Sequence, residues 1–218
     1  VNYTALVTAV SDYTENTFPT ADMNTFIEQA EQRIYNSVQF PSIRKNMTGT
    51  ITSGNKYLSA PNDFLAVYSL AVISGGEYEY LLNKDVNFIR QSYPSPTDTA
   101  IPKYYALFGP TVVSNVITNE LSFILGPTPD ATYTVELHYY YYPESIVTAS
   151  TTWLGDNFDS VLLYGTLVEA ITYMKGEADM VTLYNTKYNE ALALAKRLGD
   201  GMERQDAYRS GQFRQAVT

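Results

Sequence analysis

Apolar positions follow a helical period at both ends of the chain and a period of two in the middle. Near the start, Tyr3, Leu6, Val7 and Val10 recur at one-turn spacing, with Asn2 placed to cap the helix. Thr17-Phe18-Pro19-Thr20 interrupts this pattern. A second stripe follows, built from Met23, Phe26, Ile27, Ala30, Ile34 and Val38. Asn24, Glu28, Gln29, Glu31 and Gln32 fall on the other side, and Thr20 or Asp22 is placed to satisfy the first free N–H groups. Phe40-Pro41 ends that helix.

From Thr48 the pattern alternates. Thr48–Thr52 and Lys56–Ser59 flank Ser53-Gly54-Asn55, which predicts a hairpin with a Gly-containing turn. Phe64–Ile73 predicts a buried strand, and Tyr78–Leu82 its partner. A short helix is expected over Lys84–Gln91, capped by Asn83. Tyr93-Pro94-Ser95-Pro96-Thr97-Asp98 must be a loop. Lys103–Phe108 predicts a strand ending at Gly109-Pro110, and Leu121–Leu125 another ending at Gly126-Pro127. Thr132–Tyr142 is the clearest strand: Tyr133, Val135, Leu137, Tyr139 and Tyr141 share one face, and Thr134, Glu136, His138, Tyr140 and Tyr142 the other. Aromatics on both faces imply that both are covered, the second by another subunit.

The last third returns to helix. Asp156 or Asn157 is expected to cap a segment carrying Phe158, Val161, Leu162, Leu167, Val168, Ile171 and Met174. After a break at 176–179, Leu183, Tyr184, Tyr188, Ala191, Leu194, Ala195 and Leu198 are expected on one core-facing side. Lys196-Arg197 would occupy the last turn, where cations complement the helix dipole, and Gly199-Asp200-Gly201 would stop the helix. The expected fold is α+β: a helical bundle from 1–46 and 151–200, an inserted antiparallel β region over 47–150, and a C-terminal arm over 201–218.

Composition narrows the chemistry. The 218 residues include 14 Lys and Arg, 23 Asp and Glu, 1 His and 0 Cys, for a net charge of −9. Without Cys there is no thiolate metal site, disulfide or Cys nucleophile, and one His cannot build a His cage. The acidic balance argues against sequence-independent binding to nucleic acid. No apolar run is long enough to span a bilayer, so no membrane association is expected. The N-terminus, with no basic stretch before an apolar one, does not read as a secretory signal.

No nucleophile elbow, phosphate loop or dinucleotide fingerprint occurs. His138 lies inside the tyrosine strand, where a structural role is expected. Glu77 and Glu79 read as a solvated strand edge, Asp156 and Asp159 as helix N-terminal acids, and Glu169 as a partnered interior carboxylate. No catalytic residue, metal ligand or cofactor site is assigned. The unusual count is 20 Tyr against 9 Phe, which suits half-buried strands or subunit interfaces. The tail places Arg204, Arg209 and Arg214 five residues apart, with Tyr208 and Phe213 as candidate anchors for an extended arm on a neighbouring chain.

The order of several segments resembles the head-to-tail adaptor (connector) proteins of short-tailed bacteriophages. They are Phe26–Tyr35, Gly54–Leu58 with Pro61–Leu65, Tyr80–Val86, Pro102–Phe108, Leu125–Asp130 with Tyr133–Leu137, and the helix containing Leu163-Tyr164-Gly165, Glu169-Ala170 and Met174–Glu177. The resemblance implies a virion structural protein made in the host bacterial cytoplasm and placed at the head–tail junction. It implies a homo-oligomeric ring, typically of twelve copies, between the portal protein and the tail or nozzle, with double-stranded DNA passing through without specific binding. It brings no catalytic residues. The interface residues expected are Tyr139, Tyr140, Tyr141, Tyr142, Arg204, Tyr208, Arg209 and Phe213. Two other functions compete. One is a carbohydrate- or receptor-binding tail module, using the tyrosine strands and Trp153 as a sugar platform. The other is a cell-wall-degrading enzyme.

Overall fold

A computed structural model of the chain describes residues 1–38, 40–113 and 116–203. It is α+β, and divides into two compact units. One comprises Val1–Ile43 and the described residues from Tyr142 onward; the other is Arg44–Tyr141.

The first unit is helical. Helices α1 (Tyr3–Thr14), α2 (Thr20–Ser37) and α7 (Ala178–Glu203) each pack on α6 (Asp159–Tyr173). Asn2 caps α1 by accepting from the Ala5 N–H. Helix α2 has Pro19 at its cap position and no side-chain cap, so neither Thr20 nor Asp22 does that work. All six residues of its predicted stripe are buried. Glu31 is buried as well, against expectation. Its carboxylate accepts from the Ile146 N–H at 3.0 Å, at the start of the short helix α4 (Ile146–Ala149). The segment expected to be one helix is two: α5 (Trp153–Asn157), capped by Thr152, then α6 beginning at Asp159. Asp156 and Asp159 do occupy the first turns of these helices. Helix α6 is mostly apolar, which matches its central place. A Cβ on Gly165 would lie 3.2 Å from the Tyr188 ring and 3.3 Å from Ala30, so this glycine sets how closely its neighbours approach.

The second unit contains two four-stranded sheets. One has the order β1 (Arg44–Ile51), β8 (Tyr133–Tyr140), β3 (Ala66–Ser74), β4 (Glu77–Tyr80), all antiparallel. The other has β2 (Tyr57–Ser59), β7 (Val116–Gly126), β6 (Tyr104–Val113), β5 (Leu82–Asn83), with β5 parallel to β6. Residues of both sheets share one core, including Ile51, Leu70, Val72, Phe123, Leu125, Val135, Leu137 and Tyr139. The expected hairpin between Thr48–Thr52 and Lys56–Ser59 does not form. Its arms enter different sheets: β1 pairs with β8, and β2 with β7. Strand β6 also runs through Gly109, which takes φ +103° at a register shift, rather than ending there. The helix α3 (Val86–Ser92) lies over the second sheet and is capped by Asp85, not Asn83.

Candidate assembly surfaces

Strand β8 alternates as expected, with Val135, Leu137 and Tyr139 buried. Tyr139 is 0% exposed, and its hydroxyl donates to Asp63 Oδ1 at 2.8 Å. The other oxygen of Asp63 receives Lys45 Nζ at 2.8 Å. That bond holds the Asp63 carboxyl below its usual range and raises Lys45, while burial, then Asp63, raises the Tyr139 phenol. Tyr139 therefore belongs to the interior of its own unit and offers no surface to a neighbour.

Its sequence neighbours differ. Tyr140 is half-buried on the outer face, with its ring 6.0 Å from that of Tyr68. Tyr68 sits in the register shift of β3, is 52% exposed, lies 4.8 Å from the His138 ring, and carries the Arg44 guanidinium over its face at 4.7 Å. Tyr78 and Tyr80 stack farther along the same sheet, Tyr80 being 64% exposed. Tyr141 is half-buried beneath the Lys45 ammonium. Tyr142 begins the return to the helical unit, where its hydroxyl donates to Asn36. Arg204, Tyr208, Arg209 and Phe213 lie outside the described residues.

Helix α7 carries a feature the pattern misassigned. Tyr184, Tyr188, Leu192 and Ala195 form its buried stripe. Leu183, Leu194 and Leu198, expected beside them in the core, are exposed, Leu194 by 66%. With Met180 they make a second apolar stripe at one side of the buried one. The sequence signal was the width of the apolar arc, which exceeds what one neighbouring helix covers. The helix also continues past Gly199-Asp200-Gly201 to Glu203, so Lys196 and Arg197 are not in its last turn.

Glu169 and His138, two of the groups considered for chemistry, have ordinary structural partners. Glu169 faces the Arg33 guanidinium in an ion pair, and Arg33 also lies 5.7 Å from the Tyr188 ring centroid. His138 packs edge-on to Tyr68. Trp153 is in the helical unit, packed on Phe40 and Phe158. Among the described residues no group of His, Asp and Glu is placed to hold a metal ion, and no helix is long and apolar enough to cross a membrane. The surfaces that stand out are aromatic and aliphatic, and suit contact with other chains.

Comparison with known families agrees with that emphasis. The family model described as SU10 adaptor protein matches residues 1–215. The chain belongs to the SU10 adaptor family, a phage head-to-tail adaptor family. No curated protein matches it. Membership makes this a phage structural protein by family, associated with the head–tail junction.

Proposed function

We propose that this adaptor acts as one subunit of a closed ring between the portal protein and the tail or nozzle, with the genome passing through the bore. The family match over residues 1–215 carries the proposal. The physical support is the excess of exposed apolar surface: Leu183, Leu194 and Leu198 on α7, and Tyr68, Tyr78 and Tyr80 on the outer sheet face. A ring closes when each copy uses two different faces, so it needs two such surfaces rather than one self-complementary patch. The helical unit, as a bundle, packs around the ring, and the β unit faces the tail. Tyr140, Tyr141 and Tyr142, with an arm over 201–218, contribute to contacts between chains.

The charge of −9 suits a conduit. Acids facing the bore repel phosphates over about a Debye length, roughly 8 Å at physiological salt, so DNA moves without adhering. Retention of DNA by assembled rings tests this: weak retention is expected, and tight, salt-sensitive binding contradicts it. Imaging of purified protein incubated with portal rings tests the ring itself. A closed ring of this chain on the portal is expected; a chain that remains monomeric there contradicts it.

A further inference from the structure

Cations of the β unit sit on aromatic rings. Five of its six Lys and Arg residues lie within 6 Å of a ring centroid, the sixth being Lys103. Two of these five meet at one place. Lys56 Nζ lies 5.7 Å from the Tyr57 centroid, the Arg90 guanidinium 5.0 Å from Phe108, and the Tyr57 and Phe108 rings are 5.3 Å apart. The group joins β2, β6 and α3 on the outer face of the second sheet. Among the described residues, neither Lys56 nor Arg90 has an ion-pair partner. Two positive charges without an ion-pair partner among the described residues therefore flank an aromatic pair at the surface.

The helical unit has the complementary surface. Residues 1–32 contain five carboxylates and no Lys or Arg. Three of them, Asp12, Glu15 and Asp22, lie around the turn from α1 to α2. Asn16 donates to Met174 Sδ at 3.2 Å and the Tyr184 hydroxyl to the Tyr13 carbonyl at 3.3 Å, so the turn from α6 to α7 lies beside them. That second turn adds Glu177 and Asp179, with Lys175 as its one cation. Tyr13 and Tyr173 are half-exposed at this corner.

We infer that the acidic, tyrosine-bearing corner of one copy docks on the Lys56–Tyr57–Phe108–Arg90 surface of the next. The inference rests on the ring proposal and names two faces that would meet in it. Each face carries the charge of opposite sign to the other, and both have aromatic rings beside it. The contact also meets a need that assembly creates. Acidic helical units brought close together repel one another, and a basic surface from the neighbouring β unit offsets that repulsion. A single-stranded nucleic acid fits less well, because base stacking needs open ring faces, and here the cations already lie over those of Tyr57 and Phe108.

A charge swap in the full chain, scored by sedimentation with portal rings, tests the pairing. Lys56→Glu with Arg90→Glu is expected to lower the assembled fraction at least about tenfold, and Asp12→Lys with Glu15→Lys to do the same, with unchanged thermal melts. Combining all four restores assembly. Carbodiimide linking of a mixture of isotope-labelled and unlabelled wild-type copies gives an independent readout: the Lys56 amine should join Asp12 or Glu15 of another copy. The inference is overturned if wild type assembles but the combined variant shows no rescue, or if Lys56 joins only carboxylates outside the acidic corner. It is also overturned if reversing Lys56 and Arg90 spares assembly and instead weakens DNA retention. Failure of the wild type to assemble on portal rings contradicts the ring proposal itself.

Discussion

Glu31 and Asp63 are carboxylates with opposite responses to their surroundings. Burial raises Glu31, only partly offset by hydrogen bonds from Ser145 and Ile146. Asp63 is lowered, chiefly by Lys45. A carboxyl raised in the folded state binds its proton there first, so folding gains stability as pH falls from above the folded value to the unfolded value near 4.5. The unfolding free energy of wild type relative to Glu31→Gln should rise as pH is lowered through that window; a flat difference in denaturant titrations would contradict the burial. Asp63 has the reverse sign: its contribution is present above 3.8 and is lost as pH falls through its lower folded value. Tyr139→Phe removes one hydrogen bond to Asp63 and should cost about 1 kcal/mol in the same titrations, while leaving assembly intact. A loss of assembly at preserved stability would return Tyr139 to the list of contact residues. The alternation of β8 was enough to bury Tyr139, because period two decides the face. Nothing local marked Glu31, because its partners Ser145 and Ile146 come more than a hundred residues later.

Helices and most strands were readable from their periods, whereas pairings were not. The segment from Thr48 to Ser59 has hairpin chemistry, yet β1 aligns with β8 across Lys45↔Tyr139 and Ile51↔Tyr133. A partner so distant in sequence leaves no trace in the local pattern. The end of α7 failed for a different reason. Glycine in a helix interior costs only about 1 kcal/mol relative to alanine, and Gly199 is buried, so packing overrides the stop signal. The exposed stripe of α7 carries a prediction of its own. Leu194→Ser with Leu198→Ser should change the stability of the isolated chain by no more than about 0.5 kcal/mol per site, since both side chains are largely in water. The same change should sharply reduce ring formation in sedimentation. Full assembly of this variant would mean that the stripe is not a contact between copies.

At the scale of the molecule, the α+β class and the exclusion of metal-cage and thiol chemistry came from composition and pattern, while the resemblance to phage adaptors came from the order of segments along the chain and membership from the family match over residues 1–215. The individual contact residues were harder to read, since a tyrosine on a strand serves a core or an interface equally well. Deleting 202–218 should leave the thermal melt of the remaining chain unchanged but weaken docking on portal rings; equal docking by the shortened chain would remove the arm from the account. Electron cryomicroscopy of mature particles tests the central claim most directly. The predicted result is a closed ring of this chain between portal and tail, with Leu194 and Leu198 of each copy covered by another chain. A junction that lacks this chain, or a ring in which those leucines face water, would contradict it.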